Sequence, residues 1–182
     1  MKRTFPVVAA MLMLLFVFVS VASASGNKSN DSFSKAKKHL VLVYADQRIT
    51  GYCGALYDEY GTLTLPVGFI TPRYKNRANR VEWEHIVPAE HFGRAFAEWR
   101  DGNQLCVSKQ GNPFKGRRCA EKVNQEYRYM QADMYNLVPA IGAVNALRRN
   151  YDFTILSGEE DTFGSCAMKI KKSKAEPPEQ LR

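Results

Sequence analysis

RVEWEHIVPAEHFG, residues 80–93, sets Glu84 beside His85 just before a break marked by Pro88. His85 is one of only three histidines in the chain, and Trp83 lies two residues before it. Two readings compete for this pair. One is a solvated charge next to a surface imidazole; the other is a metal ligand next to a general base. Arg80 to Val87 has the alternation of a strand, with Val81, Trp83 and His85 on one face and Glu82 and Glu84 on the other. Strict alternation would separate Glu84 from His85. They converge only where the strand twists, bulges or ends, and Pro88 supplies an ending.

Outward from this stretch, the chain is first bounded by its N-terminus. Lys2 and Arg3 precede an unbroken apolar run, Val7 to Val19, and Ala22-Ser23-Ala24 has the A-x-A form of a cleavage site. The run is short for a membrane span and fits a signal-peptide core, so residues 1–24 are read as a signal peptide cleaved after Ala24. The remainder, 25–182, suits one domain with one core. It contains no further apolar run long enough to cross a membrane. Loss of Lys2 and Arg3 takes the formal charge from +8 to +6. A basic exported domain favours polyanions such as nucleic acid or anionic surfaces.

Four cysteines in an exported chain read as two disulfides, for which three connectivities exist. Cys106 and Cys119 bracket a polar, Gly- and Lys-rich stretch and are expected to close a local loop, leaving Cys53 for Cys166. No pair has CxxC or zinc-finger spacing, which argues against metal–thiolate chemistry.

Between these landmarks, helix is expected from Ser34 toward Val43-Tyr44, a turn over Asp46–Gly51, a strand around Tyr52, and irregular chain with short strands from Gly61 to Arg73. Phe92 to Trp99 reads as one short helix with Phe92, Phe96 and Trp99 facing a core. Asn103 to Arg118 is a loop by composition. Glu121–Tyr135 and Ile141–Asn150 read as helices separated by the breaker Asn136-Leu137-Val138-Pro139. Lys169 to Arg182 is charged and Pro-interrupted and reads as an exposed tail.

DMYNLVPAIGAVNALRRN, residues 133–150, is the second informative stretch. It puts Asn145 inside a helix about two turns past the break, where asparagine is a mediocre choice on propensity. The choice makes sense if its carbonyl oxygen must reach a hard cation such as Mg²⁺. Asn136 is a rival, read instead as a side-chain amide that satisfies free backbone groups at the break. His39 and His91 lack comparable neighbours and carry no functional reading.

WEHIVPAEHFG, FKGRRCAEKVNQEYRYMQADMYNLVPAIG and VNALRRN resemble the bacterial endonuclease I family of exported, non-specific DNA-cutting nucleases, over about Phe33 to Pro178. The resemblance implies an α+β fold on a ββα-metal (His-Me finger) core, with surrounding short helices and irregular, disulfide-tied loops. In that core a β-hairpin carries the histidine and the following helix carries the asparagine. Residue by residue, it implies His85 as general base and Glu84 and Asn145 as metal ligands. It also implies a phosphate-supporting arginine, taken as Arg117, with Arg118 the adjacent alternative.

The implied cofactor is Mg²⁺, with Mn²⁺ or Ca²⁺ as alternatives. The implied partners are double- and single-stranded DNA, with RNA as an open second substrate and no specific protein partner. The implied location is the periplasm or the outside of the cell, and the implied products carry 5′-phosphates. Three positions depart from the family pattern. Cys53-Gly54-Ala55 and Val67-Gly68-Phe69 each lack a family cysteine, and Ala143 stands where an acid is usual. The family is also expected to continue past Arg182, so the chain reads as C-terminally short, with an apolar face left uncovered.

Chemically, His85 near its ordinary pKa takes a proton from water at neutral pH, and a cation at Glu84 and Asn145 offsets charge on the phosphate and the leaving 3′ oxygen. Weak sequence preference is expected of a basic surface that reads the backbone. The competing reading is a catalytically impaired, nuclease-like polyanion-binding protein. A disulfide-stapled structural protein is disfavoured by the density of matching motif residues.

Overall fold

β3 (Val81–His85) is a five-residue strand that ends at His85. Its partner in this computed structural model, which describes residues 26–182, is β4 (Leu137–Ile141). The expected signal segment lies outside the described residues. The two strands pair antiparallel, Val81 opposite Ile141 and His85 opposite Leu137. The stretch read from sequence only as a helix breaker is therefore a strand. Leu137, Ala140 and Ile141 are buried, so the segment exchanges water for apolar contact as well as for ladder bonds. Pro139 is tolerated opposite Trp83 because the sheet has two strands and the missing N–H faces no third. Its carbonyl accepts a bond from the Gly51 amide at 2.8 Å.

The expected hairpin is thus an antiparallel pair whose strands are joined by residues 86–136 rather than by a tight turn. That excursion holds α2 (Ala89–Gly93), α3 (Ala97–Arg100), α4 (Arg117–Val123) and α5 (Gln125–Gln131). The single helix expected over Phe92–Trp99 is split, with Phe96 extended between α2 and α3. The aromatic stripe does face a core: Phe92, Phe96 and Trp99 surround Tyr127 at ring distances of 5.8, 5.9 and 5.6 Å. The helix expected from Glu121 to Tyr135 begins earlier and breaks at Asn124. There the side-chain oxygen accepts the Tyr127 amide at 2.8 Å and caps α5.

α6 (Gly142–Arg148) follows β4 without a loop. A side chain at Gly142 would sit 2.6 Å from the Arg77 carbonyl oxygen and 2.8 Å from Glu82 Oε1. Glycine is what lets the helix start against β3. Asn145 is the fourth residue of α6, within its first turn rather than two turns past the break.

α1 (Phe33–Val43) is capped by Ser32, whose side chain accepts the Lys35 amide. Ala36 and Leu40, one turn apart, are buried against Ala132 and Leu137, with Phe33, Tyr44 and Trp83 at the margin. A larger core gathers Tyr52, Ile141, Val144, Phe163, Met168 and Ala175. Tyr52 lies in a turn rather than the expected strand; the strands there are β1 (Leu56–Tyr57) and β2 (Leu63–Thr64).

The C-terminal residues do not form an exposed tail. β6 (Lys169–Lys171) and β7 (Lys174–Glu176) are antiparallel, and β7 also pairs in parallel with β5 (Asp152–Phe153). Lys171 and Lys174 are exposed while Ala175 reaches the core. Buried Glu176 accepts the Leu156 amide at 2.5 Å and pairs with Lys169 and Arg182. Charge density and the prolines made the segment look solvated.

Cys106 bonds Cys119 across 13 residues and Cys53 bonds Cys166 across 113. Chain-entropy reasoning gives the longer loop roughly 2 kcal/mol more stabilisation. Replacing Cys53 and Cys166 with serine should therefore lower the denaturation midpoint more than replacing Cys106 and Cys119; a reversed order in urea titrations would contradict that account. Gly142→Ala should destabilise by about 1–3 kcal/mol through overpacking, read as a lower melting temperature, whereas an unchanged melt would mean that α6 can shift freely away from β3.

Candidate active site

β3 distributes its side chains between two neighbours. Glu82 and Glu84 meet α6: Asn145 Nδ2 donates to Glu82 Oε2 at 3.2 Å, and Arg148 Nη1 donates to Glu84 Oε1 at 2.8 Å. Trp83 and His85 meet the other side, where Trp83 packs at 5.6 Å on Tyr44 and His85 at 4.9 Å on Phe33. The alternation expected from sequence holds, and the strand end reconciles it with a shared site. Glu84, His85, Arg117 and Asn145 all line one cavity of about 460 Å³, together with Phe33, Lys37, Glu82, Arg148 and Arg149.

His85 is buried, and its Nε2 lies 2.9 Å from the Gln131 carbonyl oxygen. A carbonyl only accepts, so Nε2 carries the hydrogen and Nδ1 is left as the basic nitrogen. Its pKa departs from the ordinary value expected from sequence. Burial lowers it to about 4, opposed by the Gln131 bond and assisted by Arg117 and Arg148. The ring is neutral at pH 7 and able to accept a proton.

Glu84 is buried, and burial pushes its carboxyl up to about 7 against the pull of Arg148 and Tyr52. Oε1 accepts from both Arg148 and, at 3.4 Å, the Tyr52 hydroxyl; Oε2 has no hydrogen-bond partner among the described residues. Asn145 shows a parallel arrangement. Its amide nitrogen is engaged by Glu82, which leaves Oδ1 without a partner among the described residues. Two unengaged oxygen donors, one from a carboxylate that a cation would hold ionised, fit a hard divalent ion. No group of three or more His, Cys, Asp or Glu among the described residues is placed to hold a metal, so these two would leave most of the coordination to water or phosphate.

Arg117 opens α4 and lies over the Phe33 ring at 5.3 Å, while Lys37 approaches the same ring at 4.9 Å. Arg118, the alternative to Arg117, lies over Phe114 at 4.7 Å and does not line the cavity. Asn136 also lies outside the cavity; its amide accepts the Val87 N–H at 2.7 Å and donates to the Val87 carbonyl at 3.0 Å.

Sequence reading missed Glu82, Tyr52, Arg148 and Phe33. Two of them left a signal. Glu82 shares a strand face with Glu84, and Arg148 shares a helix face with Asn145 three residues earlier. Tyr52 and Phe33 reach the site only through tertiary packing, from residues far away in the chain.

The profile of the family described as Endonuclease I matches residues 21–182. An extracellular deoxyribonuclease of Aeromonas hydrophila is 35% identical over 156 residues, covering 82% of this chain and 63% of the relative. A periplasmic deoxyribonuclease of the same organism is 33% identical, covering 81% and 59%. Endonuclease-1 of Buchnera aphidicola is 31% identical, covering 85% and 59%. The chain spans about three fifths of the length of these relatives. With the profile matched across all the described residues, the chain belongs to the endonuclease I family.

Proposed function

We propose that the protein is an exported, metal-dependent endonuclease that hydrolyses DNA phosphodiesters with little sequence preference, leaving 5′-phosphate ends. The observation that carries the reading is a neutral, buried His85 in the same cavity as two unengaged oxygen donors and a cation, Arg117. Metal dependence belongs to the family. The names of the extracellular and periplasmic relatives support DNA as substrate and export as destination. Among the described residues no helix is long and apolar enough to cross a membrane.

In this reading, His85 takes a proton from the attacking water at Nδ1 while the Gln131 carbonyl holds the ring and fixes its tautomer. Glu84 and Asn145 would hold the divalent ion, taken as Mg²⁺. Arg148 and Tyr52 hold Glu84, and Glu82 turns the Asn145 amide so that its oxygen faces away from the strand acid. When bound, the ion supplies positive charge at the phosphate and the departing 3′ oxygen. Arg117, braced on Phe33, supports the phosphate. Most of these contacts address the backbone rather than base edges, which accounts for weak sequence preference.

The test is plasmid nicking by the oxidised protein with and without EDTA. Nicking should require the divalent ion, and His85→Ala should reduce it by at least about 100-fold, the scale of general-base catalysis, while leaving DNA affinity in EDTA nearly unchanged. Near-full activity in His85→Ala would remove His85 from the mechanism, and nicking undiminished by EDTA would remove the metal. Asn145→Ala should raise the Mg²⁺ concentration for half-maximal nicking with little change in melting temperature. Asn136→Ala should do the reverse, losing about 0.5–1.5 kcal/mol of stability as its solvent-exposed bonds to the Val87 backbone are given up to water. Exchange of the two phenotypes would mean that the metal ligand lies before β4 rather than after it.

A further inference from the structure

Arg149 is the first residue past α6 and adopts φ 56°, ψ −130°. The Tyr151 amide closes a turn onto the Arg148 carbonyl at 3.2 Å, with Arg149 at its first central position. A positive φ at that position is the type II′ geometry, which glycine supplies without steric cost and a side chain does not. Both neighbours are anchored. Arg148 is buried on Glu84, and Asn150 donates to Glu90 Oε2 at 2.6 Å while its carbonyl accepts from His91 Nε2 at 2.9 Å. The flanking contacts therefore impose the conformation, and an arginine bears the strain.

The side chain that bears it is not used for folding. Arg149 is exposed, lines the same cavity as His85, Glu84 and Asn145, and has no carboxylate or side-chain hydrogen-bond partner among the described residues. Its one side-chain contact of note is the Tyr151 ring at 5.9 Å. Strained backbone tends to persist where it places a functional group.

We propose that Arg149 is a substrate-gripping side chain, held by the strained turn at the mouth of the cavity to pair with a phosphate of the bound DNA strand beside the one being cut. Its positive charge would meet that phosphate as a charge-assisted, solvent-accessible contact. The proposal rests on the nuclease reading above. It adds a contact that neither the Glu84–His85 pair nor Arg117 provides.

The experiment measures binding of a short DNA duplex by fluorescence anisotropy in EDTA across a sodium chloride series, beside thermal melting. Wild type, Arg149→Gly and Arg149→Lys are compared under oxidising conditions. A wild type that shows no salt-dependent binding would sink the nuclease reading itself. Given wild-type binding, Arg149→Gly should bind several-fold more weakly, with the slope of log affinity against log salt reduced by about 0.9, one phosphate contact. It should melt at or above the wild-type temperature, because glycine accepts the turn. Arg149→Lys should keep the slope and melt like the wild type. Wild-type affinity and slope in Arg149→Gly would overturn the proposal. A lower melting temperature in that variant would also overturn it, by showing that the side chain serves the fold.

Discussion

Arg148 and Glu84 form an ion pair almost fully removed from water, with side-chain exposures of 1% and 6%. The same guanidinium donates to the carbonyls of His85 at 2.7 Å and Ile86 at 2.6 Å, and the Phe153 ring covers it at 4.4 Å. One side chain of α6 thus holds a carboxylate of β3 and the backbone where β3 ends. Removing one partner of such a pair typically costs about 3–5 kcal/mol, because the other charge is stranded. The geometry of the site depends on this contact. It docks α6 on β3, which brings Asn145 to Glu82 and keeps Glu84 and His85 at a strand end where both reach one cavity.

The cavity is electrostatically divided. Its acids are partly neutralised: Glu84 is bonded through Oε1 to Arg148 and Tyr52, with Oε2 left open, and Glu82 is held by Arg77, Arg80 and Asn145. Around it lie Lys37, Arg117 and Arg149, which have no acidic partner among the described residues. The excess of basic residues in the composition therefore becomes a local arrangement in which free cations surround a base whose own charge has been suppressed by burial. A polyanion drawn to the cations meets a neutral imidazole, and a neutral ring is the form that can accept a proton.

Much of this was legible in the amino-acid sequence because it depends on local pattern and motif length. Alternation placed β3, the stretch from Ser34 toward Val43-Tyr44 was legible as helix, and the motifs around Glu84, His85, Arg117 and Asn145 pointed to residues that the fold gathers around one cavity. Local pattern failed where burial overrode propensity. Leu137–Ile141 carries a proline and reads as a break, yet it is the strand opposite β3. Lys169–Arg182 carries charge and prolines and reads as solvated, yet Ala175 and Glu176 are interior.

Sequence by itself determined which groups are chemically capable: an imidazole, a carboxylate, an amide oxygen and a guanidinium, each in a distinctive setting. Tertiary structure alone decided their states and their support. The tautomer of His85 is set by a carbonyl 46 residues away and its neutrality by burial. The Asn145 amide is turned by Glu82 across 63 residues, and Glu84 is held by Arg148 across 64. The strain at Arg149 comes from the anchoring of its neighbours to residues on β3 and α2. Charge state, tautomer and strain are properties of an environment, and that environment exists only once distant segments have packed together.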